Sequence, residues 1–240
     1  YGAYTTACAF AFYGQAEDYV VQVNAIPPCS GMPTGGTAVL NPTSGTPNSV
    51  FSASVSGSTF AGGITYQWES APTATGPWSN IAGATTASAN ITAINGVGTT
   101  YYRRKISCGS NSAWSTVVSY TTDYCTPSST ASDFYIKNVQ FVGTLNPDTT
   151  NPSGYTAGGY ANYKAKPEIA KQLVGEAINV QLSLQNTLAN PYSSAKAWVD
   201  WNRDGIFNDN ATEIVYDTGT VLVADALFGY IIPTGTTPGT

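Results

Sequence analysis

Apolar and polar residues alternate over short runs along most of this chain, and clusters of glycine, proline, asparagine and serine separate the runs. Tyr66–Ser70 is one such run and Ala177–Gln185 is another. Alternation with a period of two is typical of a strand with one buried face, whereas an amphipathic helix repeats its apolar positions about every 3.6 residues. No long stretch keeps the helical period. The pattern therefore predicts an all-β fold built from tandem β-sandwiches.

The predicted strands divide the chain into three segments, residues 1–25, 26–122 and 123–240. The first contains the apolar run Tyr19–Val23, which cannot be stable as a lone strand and so predicts a partner sheet elsewhere. Pro27 and Pro28 predict a semi-rigid, extended linker after it. The strands predicted in the two longer segments are Thr37–Leu40, Ser49–Val55, Gly63–Ser70, Ala87–Ile91, Thr99–Ser107, Ser115–Thr121, Tyr135–Val142, Ala177–Gln185, Ser194–Trp201, Glu213–Asp217 and Leu227–Ile232.

Composition narrows the class of protein. Only 10% of the 240 residues are charged while 42% are hydrophobic, which favours a folded chain over a disordered one. The net charge of -5 and the single short basic run, Arg103–Lys105, argue against a nucleic-acid partner, and that run is expected on the exposed face of a strand. No apolar run is long enough to span a membrane. Histidine, the most common general base, is absent, so no enzymatic activity is expected.

The four cysteines are Cys8, Cys29, Cys108 and Cys125, and no two of them form a C-x-x-C zinc or redox motif. In a chain with so few charges, structural disulfides formed in an oxidising, exported setting are the simpler interpretation. Sequence alone allows three pairings of four cysteines.

A candidate cation-binding loop begins at Asp200, directly after a strand-like run. Oxygen-bearing side chains stand at alternate positions and a glycine follows the third, as in loops that wrap around Ca²⁺. The twelfth position, which holds a bidentate glutamate in an EF-hand, is Ala211, so the loop departs from that motif. The alternative is a polar Asx-type turn without metal. The predicted ligands of a structural Ca²⁺ are Asp200, Asn202, Asp204, the Ile206 carbonyl, Asn208, Asp209 and Glu213.

Aromatic side chains form a candidate surface for binding glycans. Tyr155, Tyr160 and Tyr163 lie in or beside a glycine-rich loop, a position that suits exposed recognition, and Trp78 is a further candidate. The favoured alternative is that these rings pack over the end of a sandwich.

Three motifs resemble the GEVED domain. Tyr13–Tyr19, which reads Tyr-Gly-Gln-Ala-Glu-Asp-Tyr, resembles its closing signature, and Tyr124–Ser128 resembles its opening. Ala197–Asp209 resembles its central Trp-Ile-Asp-x-Asn-x-Asp-Gly-x-Phe-x-Asp stretch. Gln15 departs from the signature, because it replaces an acidic residue. The resemblance implies that the chain holds the closing piece of one GEVED-like sandwich in residues 1–25 and the larger, opening piece of another in residues 123–240.

The middle segment is similar to immunoglobulin-like repeats. Trp68 resembles the buried tryptophan of such a sandwich, and Tyr101–Cys108 resembles the strand that faces it. This similarity implies an immunoglobulin- or fibronectin-like module with a disulfide between Cys29 and Cys108. Cys8 and Cys125 would then pair with cysteines outside this sequence.

Together the resemblances imply a repeat region of a large Bacteroidetes-type surface adhesin, similar to gliding adhesins and exported by type IX secretion. The expected function is a structural and adhesive stalk, stiffened by disulfides and Ca²⁺, at the extracellular surface. Its expected partners are neighbouring repeats and, in addition, surface glycans. Two alternatives stay open: a carbohydrate-binding accessory module of a secreted hydrolase, and a filament subunit in which another chain donates Tyr19–Val23 by strand addition.

Overall fold

A computed structural model describes residues 19–143, 145, 149–166, 170–186, 194–207, 212–219 and 225–238. Cys8, most of the closing signature (residues 13–18) and the predicted ligands Asn208 and Asp209 lie outside these ranges. The predicted all-β class is confirmed, since the described residues contain strands and turns but no helix, and hence no helix that could cross a membrane.

Fifteen strands make up the described part of the chain. They are β1 (Thr37–Asn41), β2 (Ser44–Gly45), β3 (Val50–Ser56), β4 (Ile64–Ala71), β5 (Ser79–Asn80), β6 (Ala89–Thr92), β7 (Gly98–Cys108), β8 (Asn111–Trp114), β9 (Val118–Thr122), β10 (Phe134–Val142), β11 (Thr149–Asn151), β12 (Ala177–Asn186), β13 (Lys196–Trp198), β14 (Ile214–Asp217) and β15 (Asp225–Ile231).

Strands β1 to β9 form what we term the first sandwich. One sheet has the order β1-β3-β6, and the other has the order β2-β9-β7-β4-β5, with β8 paired to β7. Alternate residues from both sheets meet in one core, because their apolar side chains share the inward face of each pleat. Trp68 is completely buried there, and Phe51 stacks on Tyr120 with ring centroids 4.1 Å apart.

Two details of the first sandwich differ from the sequence prediction. The predicted strand Ser115–Thr121 begins only at Val118, as β9, and the residues before Ser115 form a separate strand, β8, because Ser115 interrupts the pairing by bonding to the backbone of Arg104. The basic run predicted on an exposed face is wrong for Arg104, which is 1% exposed. Its guanidinium donates hydrogen bonds to the Ala87 carbonyl and the Ser58 hydroxyl, and burial lowers its pKa.

Strands β10 to β15 form the second sandwich, with one sheet in the order β11-β10-β12-β15 and a facing pair, β13-β14. Ile178, Val180 and Leu182 point to the inner face of β12 and are buried. On β15, Phe228 stacks on Tyr216 of β14 with ring centroids 4.2 Å apart. The two-stranded pair therefore packs over the β15 side of the larger sheet.

The predicted strand Tyr19–Val23 is not a strand in the structure. Its residues belong to no β-ladder, and Val20, Val21 and Val23 are almost fully exposed. A strand is defined by hydrogen bonds to a neighbour, and none of the described edges pairs with this segment. Beyond it the chain is anchored, because Gly62 donates a hydrogen bond to the Pro27 carbonyl over 2.8 Å.

Candidate functional site: the loop at the junction of the two sandwiches

The loop Asp200–Phe207 is folded by its own side chains. Asp200 accepts backbone hydrogen bonds from Arg203 at 2.6 Å and from Gly205 at 2.9 Å. Asp204 accepts one from the Ile206 backbone at 2.8 Å. Short Asp and Asn side chains close such turns because they reach backbone N–H groups a few residues further on. The predicted alternation of polar residues thus produces a compact turn.

Two residues in this loop adopt left-handed backbone angles. Gly205 has a φ of 78°, which glycine adopts without strain, and Arg203 has a φ of 61°, which is uncommon for a residue with a Cβ. The Arg203 guanidinium donates a hydrogen bond to the Thr237 carbonyl at 2.9 Å, which ties the loop to the end of the second sandwich.

The loop brings three of the predicted cation ligands together: Asp200, Asn202 and Asp204. Asn202 and Asp204 bond to each other, with the Asn202 oxygen accepting from the Asp204 backbone at 3.1 Å. The Asp200 carboxylate already accepts three hydrogen bonds of the roughly four that a carboxylate can take. Within the described ranges no group of three or more acidic, histidine or cysteine side chains is arranged to hold a metal. The described residues therefore supply only part of the ligand set that Ca²⁺ would need.

Glu213, another predicted ligand, lies just before β14 and is completely buried. Its backbone carbonyl accepts a hydrogen bond from Val199, the residue before Asp200. The fold thus places a buried carboxylate-bearing residue beside the strand that leads into the loop. From sequence spacing alone, Glu213 is predicted only as the last ligand, beyond the end of the loop.

The same loop contacts the first sandwich, which the sequence did not predict. A Cβ added at Gly205 would lie 2.6 Å from Pro47 Cγ and 2.7 Å from Val97 Cγ2, so the loop backbone packs directly on two turns of that sandwich. We call the six residues Pro47, Val97, Tyr124, Asp200, Gly205 and Phe207 the junction.

Tyr124 links the two sandwiches at the junction. Its hydroxyl donates a hydrogen bond to Asp200 Oδ2 at 2.9 Å, and its ring stacks on Phe207 with centroids 5.1 Å apart. Burial, followed by the hydrogen bond to Asp200, raises the pKa of Tyr124 to about 12. The phenol therefore stays protonated at neutral pH and remains a donor to the carboxylate.

Lys164 adds a charged contact beside Tyr124. Its ammonium lies 2.6 Å from Asp123 Oδ1 and 4.3 Å from the centre of the Tyr124 ring. The hydrogen bond from Lys164 lowers the pKa of Asp123. Both partners of this pair are about half exposed, and exposed pairs of this kind contribute about 0–1 kcal/mol to stability.

The predicted tyrosines converge on a second feature, a cleft of about 530 Å³ beside β10. Tyr155, Tyr160 and Tyr163 line it, and Tyr135 contributes a fourth ring that meets Tyr155 edge-on at 5.8 Å. Apolar side chains form much of the remaining lining: Ala131, Phe134, Ile136, Val139, Ala161 and Leu184. We call this feature the tyrosine cleft.

Trp78 does not belong to the tyrosine cleft. It lies in the first sandwich, where the Arg103 guanidinium sits 4.1 Å from the centre of its ring. Arg103 in turn forms a 2.6 Å ion pair with Glu69, which also accepts a 3.2 Å hydrogen bond from the Trp114 indole. Trp78 is thus part of a stacked cluster on an outer strand face, and the prediction that groups it with the tyrosines is wrong.

Cys29 and Cys108 form a disulfide, with their Cα atoms 5.8 Å apart. The bond joins the segment that precedes β1 to the last residue of β7. Cys125 is an exposed free thiol beside the junction.

Comparison with known proteins adds one family match. The family described as "Domain of unknown function (DUF8696)" matches residues 35–124. These limits enclose β1 to β9 and end at Tyr124, so the first sandwich is similar to that family as a unit. No curated protein matches the chain.

Proposed function

We propose that this chain is a structural segment of a modular, exported bacterial surface protein, in which it carries tension between neighbouring modules. The proposal includes no catalytic activity. The observation that carries it is the Cys29–Cys108 disulfide, because this bond connects the chain where it enters the first sandwich to the end of β7. A bond of this kind is typical of oxidising compartments outside the cell.

The disulfide can transmit tension covalently, so that the force bypasses most of the first sandwich. Force applied at Pro28 reaches Cys29, crosses to Cys108 and leaves through β8 and β9 to the junction. The intervening strands, including those around Trp68, are not in the path. They would stay folded while the chain on either side is pulled.

Force spectroscopy on the full chain tests this route. With the disulfide intact, we expect unfolding of the first sandwich to release only the chain outside the Cys29–Cys108 loop. After reduction, the 79 residues of the loop should add about 280 Å of extension. An unchanged extension after reduction would contradict the proposed route, and a Cys125→Ser variant serves as the control.

Ca²⁺ bound at the loop Asp200–Phe207 is a further part of the proposal. Asp200, Asn202 and Asp204 would hold it, together with Ile206, Asn208, Asp209 and Glu213. When bound, the ion would neutralise the carboxylates and fix the loop on which the second sandwich meets the first. Its effect would be structural, since a ligand that binds only the folded state stabilises it by mass action.

Thermal unfolding with and without Ca²⁺ tests the ion. At about 10–100 times the dissociation constant, Ca²⁺ should stabilise the second sandwich by about 1.4–2.7 kcal/mol. Asp204→Asn keeps an oxygen for the Ile206 backbone but removes the charge, so it should abolish this increase. Glu176→Gln, an exposed carboxylate outside the loop, should not. Equal responses of wild type and Asp204→Asn to Ca²⁺ would show that the loop is a polar turn that binds no metal.

One observation favours a second candidate, the carbohydrate-binding accessory module. Three of the tyrosines named from the sequence line one cleft, and aromatic rings are suited to stacking on sugars. A sugar needs several hydrogen-bonding groups to replace its water, however, and two of the polar side chains in the lining are already engaged, because Asn151 accepts from Lys166 and Ser153 donates to the Ile136 carbonyl. This candidate therefore ranks second.

A further inference from the structure

The tyrosine cleft lies over the half of the second sandwich that the β13-β14 pair leaves open. On the inner face of the large sheet, Ile136 of β10 pairs with Leu184 of β12, and both line the cleft. Towards β15, aromatic side chains of the facing layer cover the same sheet. Ile136 is 46% exposed and Phe134 is 42% exposed, so among the described residues no equivalent layer covers the β10 side.

The position of β13 indicates what kind of element would cover this face. Among the described strands, β13 pairs only with β14, which leaves its other edge without a strand. Ser194, two residues before β13, lines the cleft. A strand added next to β13 would therefore lie over the cleft and continue the smaller sheet, with backbone hydrogen bonds from β13 and apolar contacts to β10 and β12.

The chain carries a segment with the properties of such a strand. Val21 is 79% exposed and Val23 is 90% exposed, although both are β-branched apolar residues suited to a sheet. As a strand, the segment would place Val21 and Val23 on one face with Tyr19, and Val20 and Gln22 on the other. That face of two valines and a tyrosine ring would match the apolar floor of the cleft.

This segment cannot reach the cleft of its own chain. It leaves the first sandwich at Cys29, which is bonded to the Cys108 end of β7, whereas the junction lies by Val97 at the Gly98 end. The 11 residues of β7 span about 34 Å. The six residues from Val23 to Cys29 span at most about 21 Å. The donor segment and the cleft are therefore associated with opposite ends of the first sandwich.

We propose that residues 19–23 of a second copy of this chain insert into the tyrosine cleft as a strand beside β13. Each copy then has one donor and one acceptor at different ends, and repeated use of such a head-to-tail contact gives a linear assembly. The proposal extends the structural role proposed above and supplies its partner. It uses the disulfide only to locate Cys29, and it does not depend on the route that tension takes through that bond or on Ca²⁺.

Sedimentation velocity of the full 25.0 kDa chain tests the assembly. We expect the average mass to rise with concentration between about 1 µM and about 200 µM. The double variant Val21→Asp/Val23→Asp should weaken association at least about tenfold, because it places charge on the face that enters the cleft. Val20→Asp, on the opposite face, is the matched control and should still associate.

Two further experiments distinguish strand insertion from other uses of the cleft. A peptide of residues 18–25 should occupy the cleft and convert wild-type assemblies to monomers. The Ile136→Gln variant should no longer bind this peptide, although its melting temperature should be unchanged. A wild type that stays monomeric throughout would overturn the proposal. Equal weakening of association by Val20→Asp would also overturn the proposal. Displacement of the bound peptide by oligosaccharides would overturn it as well, because it would identify the cleft as a sugar site. None of these outcomes alters the extension measured by force, so the two proposals fail separately.

Discussion

Replacing Cys29 and Cys108 together by serine is expected to lower the free energy of unfolding of the first sandwich by about 4 kcal/mol, because the bond closes a long loop in the unfolded chain. The separation of 79 residues places this bond near the upper end of the range for single disulfides. Since whole-domain stabilities are about 5–15 kcal/mol, the variant should be only marginally folded at body temperature. Denaturant unfolding, followed by the fluorescence of the buried Trp68, measures the loss.

The matched control is Cys125→Ser, which removes an exposed free thiol and should leave the unfolding midpoint unchanged. Reduction of wild type should reproduce the effect of the double variant without any change of sequence. If the double variant unfolds at the same denaturant concentration as the control, the disulfide does not stabilise the sandwich, and the proposed covalent route for tension loses its basis.

The second large effect is expected for Gly205→Ala at the junction. The new Cβ would lie within 3 Å of side-chain atoms of Pro47 and Val97, so the loop must move away from the first sandwich. An alanine with φ near 78° also adds about 1–2 kcal/mol of backbone strain. We expect the two sandwiches to unfold independently in the variant, with earlier amide exchange in the loop, whereas in wild type they unfold together.

The variant Gly219→Ala distinguishes the effect of the contact with Pro47 and Val97 from that of backbone strain. Gly219 also has a positive φ, of 56°, but an added Cβ there meets no atom within 4 Å. This variant should show the backbone cost alone, and Gly205→Ala should be less stable than it by about 1–3 kcal/mol, the usual cost of overpacking. Equal losses in the two variants would mean that the packing of Gly205 against Pro47 and Val97 contributes nothing.

Strand positions in the first sandwich were largely predictable from the sequence because alternation reports burial directly. Phe51 and Ala53 are buried and their neighbours are not, as the period of two requires. The interruption at Ser115 was not predictable, because it depends on hydrogen bonds to Arg104 on another strand. The buried position of Arg104 was missed for the same reason, since its partners Ser58 and Ala87 are distant in sequence and become visible only when the sheets are assembled.

The candidate site was likewise predictable only where its contacts are local in sequence. The hydrogen bonds inside the loop involve residues two to five positions apart, so the polar spacing was sufficient to predict a tight turn. Its contact with Pro47 joins residues distant in sequence, and no local pattern signals it. Tyr155, Tyr160 and Tyr163 come together because they are close in the chain, whereas Trp78 is held elsewhere by Arg103.

These features give the proposed structural role two physical components. In the proposed role, the disulfide would protect the interior of the first sandwich from tension, and the junction would hold the second sandwich at a fixed orientation to the first. Tyr124 participates in the second component through both its hydroxyl and its ring. A segment that only displayed a binding surface would need neither component.

Residual dipolar couplings of the full chain in a weakly aligning medium test whether the two sandwiches form one stiff unit, because they report the orientation of each sandwich separately. We expect couplings from β1–β9 and from β10–β15 to fit one common alignment tensor. Two tensors of different magnitude or orientation would show that the sandwiches move independently, and would contradict the proposal that this segment is a stiff unit.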